Sequence, residues 1–162
     1  MKKYELTDET ITVRGEVLHR IKALKSFNGV ILGDLGGFVA SLDNLSQEGN
    51  CWIYKNAWVF GNAWISENAR ISENAKVFEE AHISGNAYVS GMARVFGNAH
   101  ILGNSEVFQD AKIFGNAIIC ESSRIFGNAI ICETAKIKND TKVHGNVIIT
   151  GSDKISGVRR IC

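Results

Sequence analysis

Ile113-Phe114-Gly115-Asn116-Ala117 belongs to a six-residue unit that repeats along most of this 162-residue chain. From residue 53 to residue 161 every sixth position is Ile or Val, without insertions. An α-helix with 3.6 residues per turn would spread such a series around its circumference, and hairpins would need longer units. The period therefore predicts short strands separated by corners. The series is Ile53, Val59, Ile65, Ile71, Val77, Ile83, Val89, Val95, Ile101, Val107, Ile113, Ile119, Ile125, Ile131, Ile137, Val143, Ile149, Ile155 and Ile161.

The residues between the aliphatic positions describe the corners. In most repeats a small residue, such as Ala99 or Ser105, lies two positions before the aliphatic residue. Gly-Asn often precedes this small residue. Gly and Asn both tolerate positive φ, as a sharp corner requires. A turn of about 120° per repeat closes a triangle after three repeats, and successive coils then stack about 4.8 Å apart. Phenylalanines support this winding by recurring every 18 residues at Phe60, Phe78, Phe96 and Phe114.

The predicted fold is all-β, a parallel β-helix of about six triangular coils with a small N-terminal β-hairpin cap. Residues 51–162 form the solenoid, and residues 1–50 form the cap and an imperfect first coil. Within the cap, residues 10–18 are typical of two short strands around an Arg-Gly turn. Val39, Leu45 and Cys51 are assigned to the small-residue position of the first coil. Three tryptophans, Trp52, Trp58 and Trp64, are expected to pack under the cap.

Two resemblances extend this interpretation. The repeat around residues 113–117 resembles that of the left-handed β-helix hexapeptide-repeat family, the trimeric solenoid superfamily. This resemblance implies left-handed winding, an exception to the usual right-handed crossover. The opening, with Leu35-Gly36-Gly37-Phe38-Val39 and residues 44–50, resembles phage and prophage proteins that precede long Gly-Asn-Ala arrays. Because the role of those proteins is largely unassigned, the second resemblance indicates origin more than activity.

Charge and composition favour neither nucleic acid nor membranes. The 18 basic and 17 acidic residues leave a net charge of +1, so no broad electrostatic field is expected. The polar N-terminus and the lack of a long apolar stretch predict a cytoplasmic protein without a membrane segment. The four cysteines form no C-x-x-C pair, and Glu67, Glu73 and Glu79 fall on three different corners. We therefore expect no metal site and no cofactor.

One outer face of the solenoid is the strongest functional signal. A triangular coil places aromatic and aliphatic residues together on that face, which is too apolar for open water and typical of an interface. We expect a homo-oligomer, and the resemblance implies a trimer, although a dimer fits the residues equally well. The alternative is that the rings stack along the coil without a partner. The predicted interface consists of Trp58, Phe60, Phe78, Phe96, Phe114, Ile130 and Ile148, with Cys132 beside them.

Three other functions have weaker support. The resemblance implies an acyltransferase that uses CoA or a carrier-protein thioester, with His82 or His100 as general base. We expect neither the inserted loop nor the C-terminal extension that usually shapes its substrate cleft. A basic column of Lys76, Arg94 and Lys112 beside stacked rings suits single-stranded nucleic acid, but three charges are few. A phage counter-defence protein that binds a host protein or a nucleotide is the third alternative.

The sequence therefore favours a non-enzymatic scaffold or protein-binding module. Its rigid surface would be offered to a second copy of the chain and to a host protein.

Overall fold

The computed structural model describes residues 2–157 and 160–162 as a parallel β-solenoid of about seven turns. Residues 158 and 159, in the last predicted repeat, lie outside the described residues. The predicted all-β solenoid is confirmed, but it has about one turn more than expected. Residues 1–50, predicted to form the cap and an imperfect first coil, provide the difference, because strand β3 (Leu35–Val39) already belongs to the first coil.

The chain begins with a hairpin of β1 (Tyr4–Val13) and β2 (Glu16–Ala23), and a short 3-10 helix (Leu42–Asn44) follows β3. Nineteen two-residue strands complete three sides. The aromatic side contains β5 (Trp58–Val59), β8 (Lys76–Val77), β11 (Arg94–Val95), β14 (Lys112–Ile113), β17 (Ile130–Ile131) and β20 (Ile148–Ile149). The histidine side contains β6 (Trp64–Ile65), β9 (His82–Ile83), β12 (His100–Ile101), β15 (Ile118–Ile119), β18 (Lys136–Ile137) and β21 (Lys154–Ile155). The tyrosine side contains β4 (Trp52–Ile53), β7 (Arg70–Ile71), β10 (Tyr88–Val89), β13 (Glu106–Val107), β16 (Arg124–Ile125), β19 (Lys142–Val143) and β22 (Arg160–Ile161).

Successive coils pair in parallel with a register of 18 residues. Arg94, for example, pairs with Lys76 on one side and with Lys112 on the other. The Arg94 amide donates to the Ala111 carbonyl over 2.9 Å, and the Phe96 amide donates to the Ile113 carbonyl over 3.0 Å. The three-sided winding and the interval of 18 are therefore confirmed.

The aliphatic series forms the interior. Every member from Ile53 to Val143 is fully buried, and the small residues two positions earlier are buried at the corners of the same coils. Such burial contributes roughly 1.5–3 kcal/mol for each aliphatic side chain. The core is consequently a narrow column along the axis.

Most corners begin with a residue in the left-handed region. Gly97 occupies this position at φ 66°, and Glu79 occupies it one coil earlier at φ 61°. The Glu79 carboxylate accepts a hydrogen bond from the Gly97 amide over 2.8 Å. Glu67 and Glu73 accept in the same way from Gly85 and Gly91. The three carboxylates lie on different corners, and each caps the next coil.

The first coil is longer than the others. Val39 pairs with Val59 and Leu45 bridges to Ile65, each 20 residues later, whereas Trp52 pairs with Arg70 at the regular 18. Two additional residues between Leu45 and Trp52 account for the change. Val39 and Leu45 therefore lie in the aliphatic rows, and their assignment to the small-residue position was wrong.

The hairpin joins the solenoid through the sheet of the aromatic side. Its turn, Arg14-Gly15, has positive φ at both residues, 51° and 85°, as in the tight turns that match strand twist. β2 pairs antiparallel with β3, and β3 pairs in parallel with β5. The predicted hairpin cap is confirmed, with strands longer than expected. No helix among residues 2–157 and 160–162 is long and apolar enough to cross a membrane.

Candidate functional site

The aromatic side carries a continuous stack of phenylalanine rings. The centroids of Phe60 and Phe78 are 5.0 Å apart, and those of Phe78, Phe96 and Phe114 follow at 4.9 Å, all nearly parallel. The register of 18 forces this arrangement, because each ring lies over its equivalent in the next coil. Stacked aromatic pairs contribute about 0.5–1.5 kcal/mol each beyond their burial.

The N-terminal hairpin covers the first part of this stack. Leu18 of β2 is fully buried and packs with Phe38 against Phe60 and Phe78, which retain only 4% and 5% exposure. Val13 of β1 packs against the same cluster. The face that the sequence predicts to be open is therefore partly covered by the chain itself, so Phe60 and Phe78 cannot meet a partner in this structure.

The remainder of the aromatic side is open. Phe96, Phe114 and Ile130 are half-buried, and Ile148 is 64% exposed. We call these four residues the open patch. Cys132, also predicted beside the interface, is 9% exposed.

Arg14, at the tip of the hairpin, reaches the same side of the solenoid. Its guanidinium carbon lies 4.8 Å from the Phe78 ring centroid, and the Lys76 ammonium lies 4.2 Å from the Trp58 ring centroid. Together with Arg94 these side chains line a cleft of about 200 Å³ between hairpin and solenoid, which we call the cationic cleft. Partial burial lowers the pKa of Lys76, and the charges of Arg94 and Arg14 lower it further.

The histidine side brings both candidate bases together. His82 stacks under Trp64 with centroids 4.7 Å apart, and the rings of His82 and His100 meet edge to face at 5.7 Å. Burial lowers the pKa of His82, as does the charge of His100, while Glu67 opposes the shift. The lowered pKa favours the neutral imidazole, which is the form that can accept a proton. Trp64 is 46% exposed, so it does not pack under the cap.

The tyrosine side contains a cleft that sequence reasoning missed. It has a volume of about 420 Å³ and lies around Arg70, Tyr54 and Tyr88. The Tyr88 hydroxyl is 2.8 Å from the Ser72 hydroxyl, and the Arg70 guanidinium lies 5.2 Å from the Tyr88 ring centroid. The interval of 18 between Arg70 and Tyr88 is the sequence signal that could have identified it.

Comparison with known proteins gives a limited result. No family model matches this chain. A segment of 62 residues is 40% identical to the uncharacterized acetyltransferase YdcK of Escherichia coli (strain K12). The match covers 33% of this chain but only 19% of that protein. The chain thus spans about a fifth of the length of the curated relative it matches.

The predicted site residues lie in two separate groups. His82 and His100 are adjacent on one side, while the basic column and the aromatic stack share another. Lys76 and Arg94 line the cationic cleft, whereas Lys112 lies one coil beyond Arg94 and is not among its lining residues. Trp58 is half-buried at the same cleft.

Proposed function

We propose that this β-solenoid is a non-enzymatic scaffold that assembles with itself through the open patch. The observation that carries the proposal is the group of four apolar side chains, one from each of four consecutive coils, that the hairpin leaves uncovered. Phe96 and Phe114 stack in one row, and Ile130 pairs with Ile148 in a second row of the same side. An apolar patch that continues along one side of a rigid solenoid favours a protein contact. Its most exposed member, Ile148 at 64%, gains most from being covered.

A second copy of the chain is the partner that fits this surface best. The open patch lies on a regular parallel sheet, so the same patch on another subunit presents equivalent ridges related by symmetry. Arg94 and Lys112 are exposed, and they precede Ile130 and Ile148 in the same row. In the assembly they would lie at the rim, where charged side chains stay in water.

The proposal is tested by replacing Phe114 with Asp. A carboxylate in the middle of the open patch would be desolvated by the partner, so we expect the molar mass from light scattering to fall to that of one subunit. Phe108→Asp is the matched control. Phe108 follows its aliphatic residue in the same way and stacks on Phe126 at 4.9 Å, but it lies on the tyrosine side.

Three results would contradict the proposal. These are a wild-type protein that is already monomeric at micromolar concentration, an unchanged mass for Phe114→Asp, and equal losses for both variants. Circular dichroism of each variant establishes that the solenoid has folded before its mass is interpreted.

An acetyltransferase is the second candidate, and two observations favour it. These are the partial identity with YdcK and the lowered pKa of His82, which lies beside His100. Native mass spectrometry of the protein mixed with acetyl-CoA separates the two functions. A bound acetyl-CoA would support the enzyme, whereas an assembly that retains none and dissociates on Phe114→Asp would support the scaffold.

A further inference from the structure

The cationic cleft combines three positive charges from different parts of the chain. Lys76 and Arg94 come from paired strands, β8 and β11, and Arg14 comes from the hairpin tip. Only the docked hairpin places Arg14 here, since some 60 residues separate it from Lys76 in the sequence. The positive charges of Arg14 and Arg94 both act on the Lys76 ammonium.

These cations have no carboxylate partner in the described part of the chain. The two ion pairs found there join Arg20 to Glu9 and Arg124 to Glu106. The nearby Glu16 accepts instead from the Gly61 amide over 3.2 Å, and Glu79 accepts from the Gly97 amide over 2.8 Å. Like charges around one cleft repel each other, and a bound anion would relieve that repulsion.

The size of the cleft limits what it can hold. At about 200 Å³ it is smaller than the clefts of roughly 300–1,000 Å³ that enclose drug-sized ligands. A tetrahedral oxyanion fits, and guanidinium groups match its geometry through paired hydrogen bonds. Trp58, which is half-buried at the cleft, provides an aromatic surface for the rest of a small ligand.

We propose that the cationic cleft is a binding site for the phosphate group of a small phosphorylated molecule, held by Arg14, Lys76 and Arg94. The cleft does not depend on the proposed self-association, because its lining residues come from one chain and none belongs to the open patch. A nucleic-acid strand would use the full basic column instead. Lys112 belongs to the column but does not line the cleft, so its substitution distinguishes these two modes of binding.

Isothermal titration calorimetry with inorganic phosphate and with pyrophosphate, at low ionic strength, tests the proposal. Loss of one charge-assisted contact should weaken binding by about tenfold or more, so we expect this result for Arg14→Gln and for Arg94→Gln. Arg14→Lys retains the charge and should retain most of the affinity. Lys112→Gln removes a charge from the same column and should change the affinity by less than about twofold.

Several outcomes would overturn the proposal. The site is absent if wild-type protein binds neither anion. Binding is diffuse if Lys112→Gln weakens it as strongly as Arg14→Gln. Nucleic-acid binding is the third outcome. It would be shown by a single-stranded oligothymidylate whose binding depends on Arg94 and Lys112 but not on Arg14, in a protein that binds no phosphate. Circular dichroism and melting temperature verify that each variant remains folded.

Discussion

Three buried hydroxyl side chains at one corner of the solenoid differ in their hydrogen bonds. At one corner Ser105, Ser123 and Thr141 replace the alanines found in earlier coils, and all three are fully buried. The Ser105 hydroxyl donates to the Leu102 carbonyl, and the Thr141 hydroxyl donates to the Lys138 carbonyl, each over 2.6 Å. The Ser123 hydroxyl has no hydrogen-bond partner in the described chain. Identical positions therefore differ in whether the polar group is satisfied.

Replacing these serines by alanine should shift stability in opposite directions. Ser123→Ala removes a buried group without a partner and should raise the free energy of unfolding by about 1 kcal/mol. Ser105→Ala removes a satisfied hydrogen bond and should lower it by about 1 kcal/mol. Urea unfolding followed by circular dichroism measures both changes. Equal shifts of the same sign would show that the hydrogen bonds do not distinguish the two sites.

At the scale of the element, the hairpin acts as a cover for the aromatic side. β1 and β2 extend the sheet beyond β3, and the overhanging end packs Leu18 and Val13 on the first rings of the stack. The contacts that hold the tip include this cluster, the Glu16 hydrogen bond to the Gly61 amide and the Arg14 guanidinium over the Phe78 ring. Opening of the tip would expose Phe60 and Phe78 and lengthen the open patch.

Leu18→Asp should release the hairpin tip while the coils remain folded. A carboxylate cannot be buried among the rings without a partner, so the amides of β1 and β2 should exchange with solvent much faster. Hydrogen exchange measured by mass spectrometry reports this change. Val17→Asp is the control, because Val17 precedes Leu18 in β2 and is 50% exposed. Unchanged exchange in Leu18→Asp, or equal effects of both substitutions, would refute the role of Leu18.

Part of this architecture could be predicted from the sequence and part could not. The row that contains Ile101 and the stack that contains Phe96 repeat at constant intervals, and a constant interval fixes both winding and register. The docking of Leu18 on Phe78 has no such interval, because it joins segments that are distant in the chain. The two additional residues before Trp52 were missed because the sequence alone allows Val39 and Leu45 at either the aliphatic or the small-residue position of the repeat.

The whole molecule is a linear stack in which each coil packs mainly on its two neighbours. Its stability is therefore a sum of coil and interface contributions, and a fault in the middle divides the stack into two shorter ones. Ile101 lies fully buried near the centre of the column, with Ile83 and Ile119 above and below it. This position is the most informative place to test the cooperativity of the solenoid.

Ile101→Asp should destabilise the protein by about 3–5 kcal/mol, because it leaves a charge in the axial column without a partner. Thermal unfolding followed by circular dichroism should show a large fall in melting temperature or two separate transitions. Met92→Asp introduces the same charge at a corner that is 61% exposed, and it should have little effect. An unchanged melting temperature for Ile101→Asp would contradict the inward placement of this row.

The capped corners also restrict how such a protein can change in length. A glutamate at the start of a corner accepts from the amide one coil later, and in the pairs of Glu67, Glu73 and Glu79 that amide belongs to a glycine. Duplicating the single coil that holds these glutamates would place carboxylates directly over one another at the spacing of adjacent strands, about 4.8 Å. Duplicating this coil together with the next one, which holds the glycines, would keep each of these carboxylates next to a glycine amide. Lengthening by 36 residues is therefore compatible with this stack, whereas lengthening by 18 at these corners brings like charges together.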